Sequence, residues 1–155
     1  MRTIEGTSAA AGLRVALVVA KYNDFVTERL QTGALAALAK AGVASGDITV
    51  VKVPGAFEIP LAAQQAAASA KVDAVVCLGC LIKGATAHFE YIASAVSHGI
   101  TAAAAATGVP IAFGVLTTNS VEEAIERAGE GPSNKGWEAA VAAIDMATVI
   151  AQLKQ

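Results

Sequence analysis

Ala74-Val75-Val76-Cys77-Leu78-Gly79-Cys80 runs directly into Leu81-Ile82-Lys83-Gly84-Ala85-Thr86-Ala87-His88. The first part is almost continuously apolar and rich in β-branched side chains. It lacks the polar alternation of a strand with one wet face, so it predicts a strand over residues 74–79 covered on both sides. The second part ends that strand and opens a helix. Three more runs of the same kind occupy residues 14–20, 48–53 and 111–116.

Helical spacing fills the intervals. Val26, Leu30, Ala34, Ala37, Leu38 and Ala41 predict a helix over residues 25–41, with Gly42 as its C-terminal cap. Pro60 suits the first turn of a helix reaching about residue 70. Thr86 is a candidate cap for a long helix to about residue 106, stopped by Gly108 and Pro110. Ser120-Val121-Glu122-Glu123 is a capping-box pattern, and Asn134 can cap a last helix to about residue 153. Strands that alternate with helices imply right-handed crossovers and a parallel sheet. The expected fold is a three-layer α/β/α sandwich on a four-stranded parallel sheet, of the flavodoxin-like kind. A short edge strand at residues 3–5 joins it, and residues 1–155 form one domain.

Composition narrows the function. Hydrophobic residues make up 55% of the chain and aromatic residues only 5%. Globular domains typically hold ~45–50% apolar residues, so subunit interfaces are a natural place for the excess. The net charge of −2 and the absence of a basic patch argue against nucleic acid as a partner. The start of the chain has no apolar run of signal-peptide length. The longest apolar stretch, residues 100–116, is broken by Gly108 and Pro110, which argues against a membrane span. The expected location is the cytoplasm. Cys77 and Cys80 form a CxxC, but on a strand that spacing points the two thiols to opposite faces. Only His88 and His98 could join them, so neither a redox pair nor a zinc site is expected.

Ligands of open parallel sheets bind outside the carboxyl ends of the strands. The segments that follow the four strands should therefore converge on one rim. They would bring together the rings of Tyr22 and Phe57, suited to stacking on a flat ligand, and the carboxylate of Glu58. They also bring a helix N-terminus at Gly84, Ala85 and Thr86, whose free N–H groups suit a phosphate. His88 stands in the first turn of that helix, and histidine suits proton transfer near neutral pH. Residue type alone equally allows Tyr22 and Phe57 as packing residues and His88 as a solvated surface residue. Taken this far, the rim reads as a site for a flat small molecule accompanied by phosphate.

Longer segments carry more. They are Val53-Pro54-Gly55-Ala56-Phe57-Glu58-Ile59-Pro60, Gly84-Ala85-Thr86-Ala87-His88-Phe89-Glu90-Tyr91, Pro110-Ile111-Ala112-Phe113-Gly114-Val115-Leu116-Thr117, Glu126-Arg127-Ala128-Gly129 and Asn134-Lys135-Gly136. In this order and spacing they resemble the lumazine synthase family, from about residue 4 to the C-terminus. The resemblance implies condensation of 5-amino-6-(D-ribitylamino)uracil with 3,4-dihydroxy-2-butanone 4-phosphate, with no metal and no redox cofactor. It implies that Tyr22 stacks on the pyrimidine, and that Ala56, Phe57 and Glu58 hold the pyrimidine and its ribityl chain. The backbone of Cys80, Leu81 and Ile82 reads the pyrimidine edge. Ala85, Thr86 and Arg127 bind the phosphate with help from Lys135, His88 transfers protons, and Phe113 closes the pocket. Phe113 and Arg127 are implied to come from a neighbouring subunit, in a pentamer and, with the short loop at residues 129–134, in a shell of sixty subunits.

The sequence departs from the family pattern at three positions. Tyr22 stands where Phe or Trp is usual, Lys83 where many members have Arg, and Ala87 where Pro is common. Lys83 keeps the charge but loses the planar fork. Three other readings fit the fold class: a non-catalytic flavin or lumazine binder, a phosphoryl-receiver module and a structural shell protein. The presence of His88 and Arg127 argues against the first, and the intact pocket segments argue against the third. The absence of an acidic residue at the end of the third strand argues against the second.

Overall fold

β1 (Val15–Ala20) is buried along its whole length, as its unbroken apolar run requires. It lies in the middle of a four-stranded sheet of order β2-β1-β3-β4, with every pairing parallel. β2 (Ile48–Val53) and β4 (Ile111–Thr118) are the edges, and β3 (Ala74–Ile82) is the second central strand. This computed structural model describes Met1–Gln155. The helices are α1 (Asp24–Ala41), α2 (Ile59–Ala68), α3 (His88–Thr107), α4 (Val121–Arg127) and α5 (Lys135–Leu153).

The sheet divides the core in two. On one side Leu17, Leu78, Leu30, Leu38 and Ile144 pack with α1, α4 and α5. On the other Val18, Val75, Ile59, Val96 and Ile100 pack with α2 and α3. This is the expected three-layer sandwich. Each fully buried Leu or Ile contributes about 1.5–3 kcal/mol of transfer free energy, so the sheet faces are the main source of stability. The CxxC falls as its strand spacing requires: Cys77 belongs to one core and Cys80 to the other. Burial pushes the Cys77 thiol up to about 12 and Cys80 to about 11.

Several boundaries differ from the sequence reading. β3 runs three residues past the expected end at Gly79, because β4 keeps pairing with it through Ile82–Thr118. Cys80, Leu81 and Ile82 are therefore strand and not loop. α3 starts at His88, and no side chain caps it by the usual bond; the Thr86 hydroxyl accepts only a long 3.4 Å bond from the His88 N–H. Residues 3–5 do not form an edge strand within the chain. They belong to none of the four strands and lie beside α5, where Gln152 donates to the Glu5 carbonyl. A lone edge segment needs a facing strand to satisfy its ladder, and its own sheet offers none there. β2 was expected to be covered on both faces, yet Thr49, Val50 and Lys52 are exposed at the sheet edge.

The caps at Gly42, Ser120 and Asn134 form as read. Gly42 takes a left-handed φ of 99° and donates to the Ala39 carbonyl. The Ser120 hydroxyl accepts from the Glu123 N–H, while the Glu123 carboxylate reaches back one residue further than a capping box, to the Asn119 N–H.

Candidate functional site

Sheet order 2-1-3-4 reverses direction between β1 and β3, which makes a crevice at the carboxyl ends of those strands. Cross-links between the segments leaving the strands define its rim. Lys21 N–H donates to the Val53 carbonyl at 2.8 Å and Tyr22 N–H to the Pro54 carbonyl at 3.1 Å. The Asn23 amide donates to the Cys80 carbonyl at 2.9 Å, and Lys83 N–H to the Thr118 carbonyl at 2.8 Å. All four post-strand segments thus meet, as the sequence implied. Asn23 was missed by the sequence reading. Its left-handed backbone, φ 62°, carries the chain from β1 into α1, a conformation that asparagine tolerates better than most residues.

β3 outruns β1 at this rim. The ladder between them ends at Val19–Leu78, while β4 follows β3 to Ile82. Main-chain groups of Cys80 and Ile82, which face the β1 side, have no strand to pair with. Only the Cys80 carbonyl is taken, by Asn23.

Beside this notch lies an open cleft of about 520 Å³ that gathers Ala56, Phe57, Glu58, Leu81 and His88. A short helical turn at Ala56–Glu58 presents the first three, and the first turn of α3 presents His88. Ala56 is buried, and Phe57 is exposed at 62%. Tyr91 and Ile92 complete the cleft, one helical turn beyond His88. That spacing was the available signal for them. Tyr22 is exposed at 72% and sits on the adjoining rim through its bond to Pro54. Ala85 and Thr86 form the exposed turn that leads into α3. The Lys83 ammonium lies 3.8 Å from the Glu90 carboxylate, both half exposed, so the pair holds its charge loosely.

The remaining predicted residues stand elsewhere. Phe113, Arg127 and Lys135 line a second cleft of about 340 Å³, between β4, α4 and α5. α5 packs on the sheet face opposite α2 and α3, so the two clefts lie on opposite sides of the sheet. The structure brings the three residues together, but not with His88. Phe113 is exposed at 48%. Arg127 folds back to donate to the Glu123 carbonyl at 3.3 Å, where the C-terminus of α4 favours its charge. Lys135 pairs with Glu138 at 2.9 Å, a further cleft residue that the sequence reading did not name, although it stands three residues on.

The description "6,7-dimethyl-8-ribityllumazine synthase" belongs to the family model that matches residues 12–151. The chain belongs to this family. A 6,7-dimethyl-8-ribityllumazine synthase of Desulfatibacillum aliphaticivorans is 50% identical over 153 residues, covering 99% of both chains. A protein of the same name from Syntrophus aciditrophicus (strain SB) is 52% identical over 149 residues, 96% of this chain and 97% of that one. The match to this lumazine synthase family spans both clefts, from Tyr22 through His88 to Lys135.

Proposed function

We propose that the chain is a 6,7-dimethyl-8-ribityllumazine synthase of riboflavin biosynthesis. It condenses 5-amino-6-(D-ribitylamino)uracil with 3,4-dihydroxy-2-butanone 4-phosphate and releases phosphate and water. The observation that carries this reading is the cleft that gathers Ala56, Phe57, Glu58 and His88 at the switch point of the sheet, in a chain of this family.

The roles follow from position and chemistry. Tyr22 and Phe57 offer exposed rings for the flat pyrimidine. The free main-chain groups of Cys80 and Ile82 on the β1 side, with Leu81 between them, offer donors and acceptors to its edge. Glu58 accepts hydrogen bonds from ribityl hydroxyls. Ala85 and Thr86, ahead of the N-terminus of α3, face the phosphate of the second substrate. The amine attacks the ketone carbonyl and water leaves, giving a Schiff base. Phosphate is then eliminated, the ring closes, and further water is lost. Each step moves a proton, and His88 is the group in the cleft suited to take it up and return it. The atoms balance without an external oxidant or reductant.

A second copy completes this site in our reading, bringing Phe113, Arg127 and Lys135 to the His88 cleft. The guanidinium fork of Arg127 then clamps the phosphate. The exposure of Leu61, Tyr91 and Phe113, which a lone chain gains nothing by displaying, supports an oligomer. The pentamer, with a sixty-subunit shell built from it, is the arrangement we propose. No helix is long and apolar enough to cross a membrane. The cytoplasm is the proposed location, and residues 1–155 the proposed single domain.

An absorbance assay on the purified chain tests the activity. The lumazine band is expected only when both substrates are present. A well-folded protein that forms no lumazine would leave the binding-protein reading in its place.

A further inference from the structure

The loop between Arg127 and Lys135 is tied by one side chain. Asn134 is 2% exposed, and every polar atom it owns is used. Its amide nitrogen donates to the Arg29 carbonyl on α1 at 3.1 Å and to the Gly129 carbonyl just past α4 at 2.9 Å. Its amide oxygen accepts from the N–H groups of Gly136 at 2.7 Å and Trp137 at 3.1 Å, capping α5. Its own N–H donates to the Gly131 carbonyl, and its carbonyl accepts from Glu138. Two glycines make room for this knot. A Cβ on Gly33 would overlap the Asn134 side chain, and one on Gly136 would overlap the Leu30 main chain.

One amide therefore fixes three bodies against one another: the end of α4, the start of α5 and the middle of α1. Arg127 is the last residue of α4 and Lys135 the first of α5. We infer that Asn134 is a positioning residue that sets the spacing of Arg127 and Lys135 and so shapes the phosphate half of the site. This rests on the synthase reading above. A cap alone would need only the oxygen; the two donor bonds across to α1 and to Gly129 exceed what capping requires. An aspartate at this position caps a helix as well as asparagine does. It cannot donate, however, and it would set an oxygen against two carbonyls.

The test compares wild type, Asn134→Asp and Asn134→Ser in steady-state lumazine formation, well below each melting temperature. Both variants are expected to raise KM for the butanone phosphate by roughly tenfold. The KM for the pyrimidine and the saturated kcat should stay within about twofold of wild type. Circular dichroism should show α5 intact. A lowered melting temperature with an unchanged ratio of the two KM values would overturn the inference, because that pattern is structural support alone. Failure of both variants to fold would overturn it in the same sense. Wild type that forms no lumazine would instead sink the synthase reading.

Discussion

His88 opens α3 at the cleft where Phe57 and Glu58 meet, with its backbone N–H directed to Thr86. Removing its imidazole should slow turnover by ~10–100-fold while the fold and the proposed assembly survive, since proton-transfer groups contribute ~10²–10⁴ and the other contacts to substrate remain. Stopped-flow absorbance on His88→Ala checks this, and an unchanged rate would remove the assigned role. Arg127 belongs to the other cleft, and its fork is matched to a phosphate and not to a pyrimidine. Arg127→Ala should raise KM sharply for the phosphorylated substrate alone; equal effects on both substrates would contradict a phosphate clamp. Tyr22, Phe57, Glu58 and His88 were legible as candidates because each follows a strand end. Asn23 was not, because its value lies in a left-handed turn and one long-range bond to Cys80, neither of which leaves a pattern in the sequence.

The strands owe their legibility to burial on both sheet faces, which writes unbroken apolar runs at residues 15–20 and 74–79. The true end of β3 was hidden because Gly79 looks like a stop, and only the register with β4 extends it. The amino ends of β1 and β3, away from the site, are joined by Arg14 and Asp73. The Arg14 N–H and guanidinium both bond the Asp73 carboxylate, and the Asp73 N–H returns a bond to the Arg14 carbonyl at 2.7 Å. Burial alone would raise the Asp73 carboxyl, but the bonds and charge of Arg14 outweigh it and hold it below its ordinary value. A depressed carboxyl stabilises the fold above its unfolded-state pKa of about 3.9 and loses that contribution as pH falls through the lower folded value. Asp73→Asn should therefore lower the melting temperature by a few degrees at pH 7. The gap to wild type should narrow in acid below pH ~4. A gap independent of pH would refute this account of the pair.

Across the whole molecule, the parallel sheet separates two clefts. The α2 and α3 side carries Ala56, Phe57, Glu58 and His88, and the α4 and α5 side carries Phe113, Arg127 and Lys135. Patterns within one chain could not reveal that separation. Residues far apart on a sheet read alike whether they meet in one copy or between two. Residues 3–5, read as an edge strand, instead lie beside α5 without joining the sheet. The most direct test of a shared site is complementation. His88→Ala and Arg127→Ala chains are unfolded together, refolded as an equal mixture, and assayed for lumazine at limiting butanone phosphate. If each site takes His88 from one copy and Arg127 from the next, random mixing restores an intact pair at roughly one interface in four. Activity should then rise well above that of either variant refolded alone. A mixture that shows only the average of the two separate variants would contradict a site completed by a second copy.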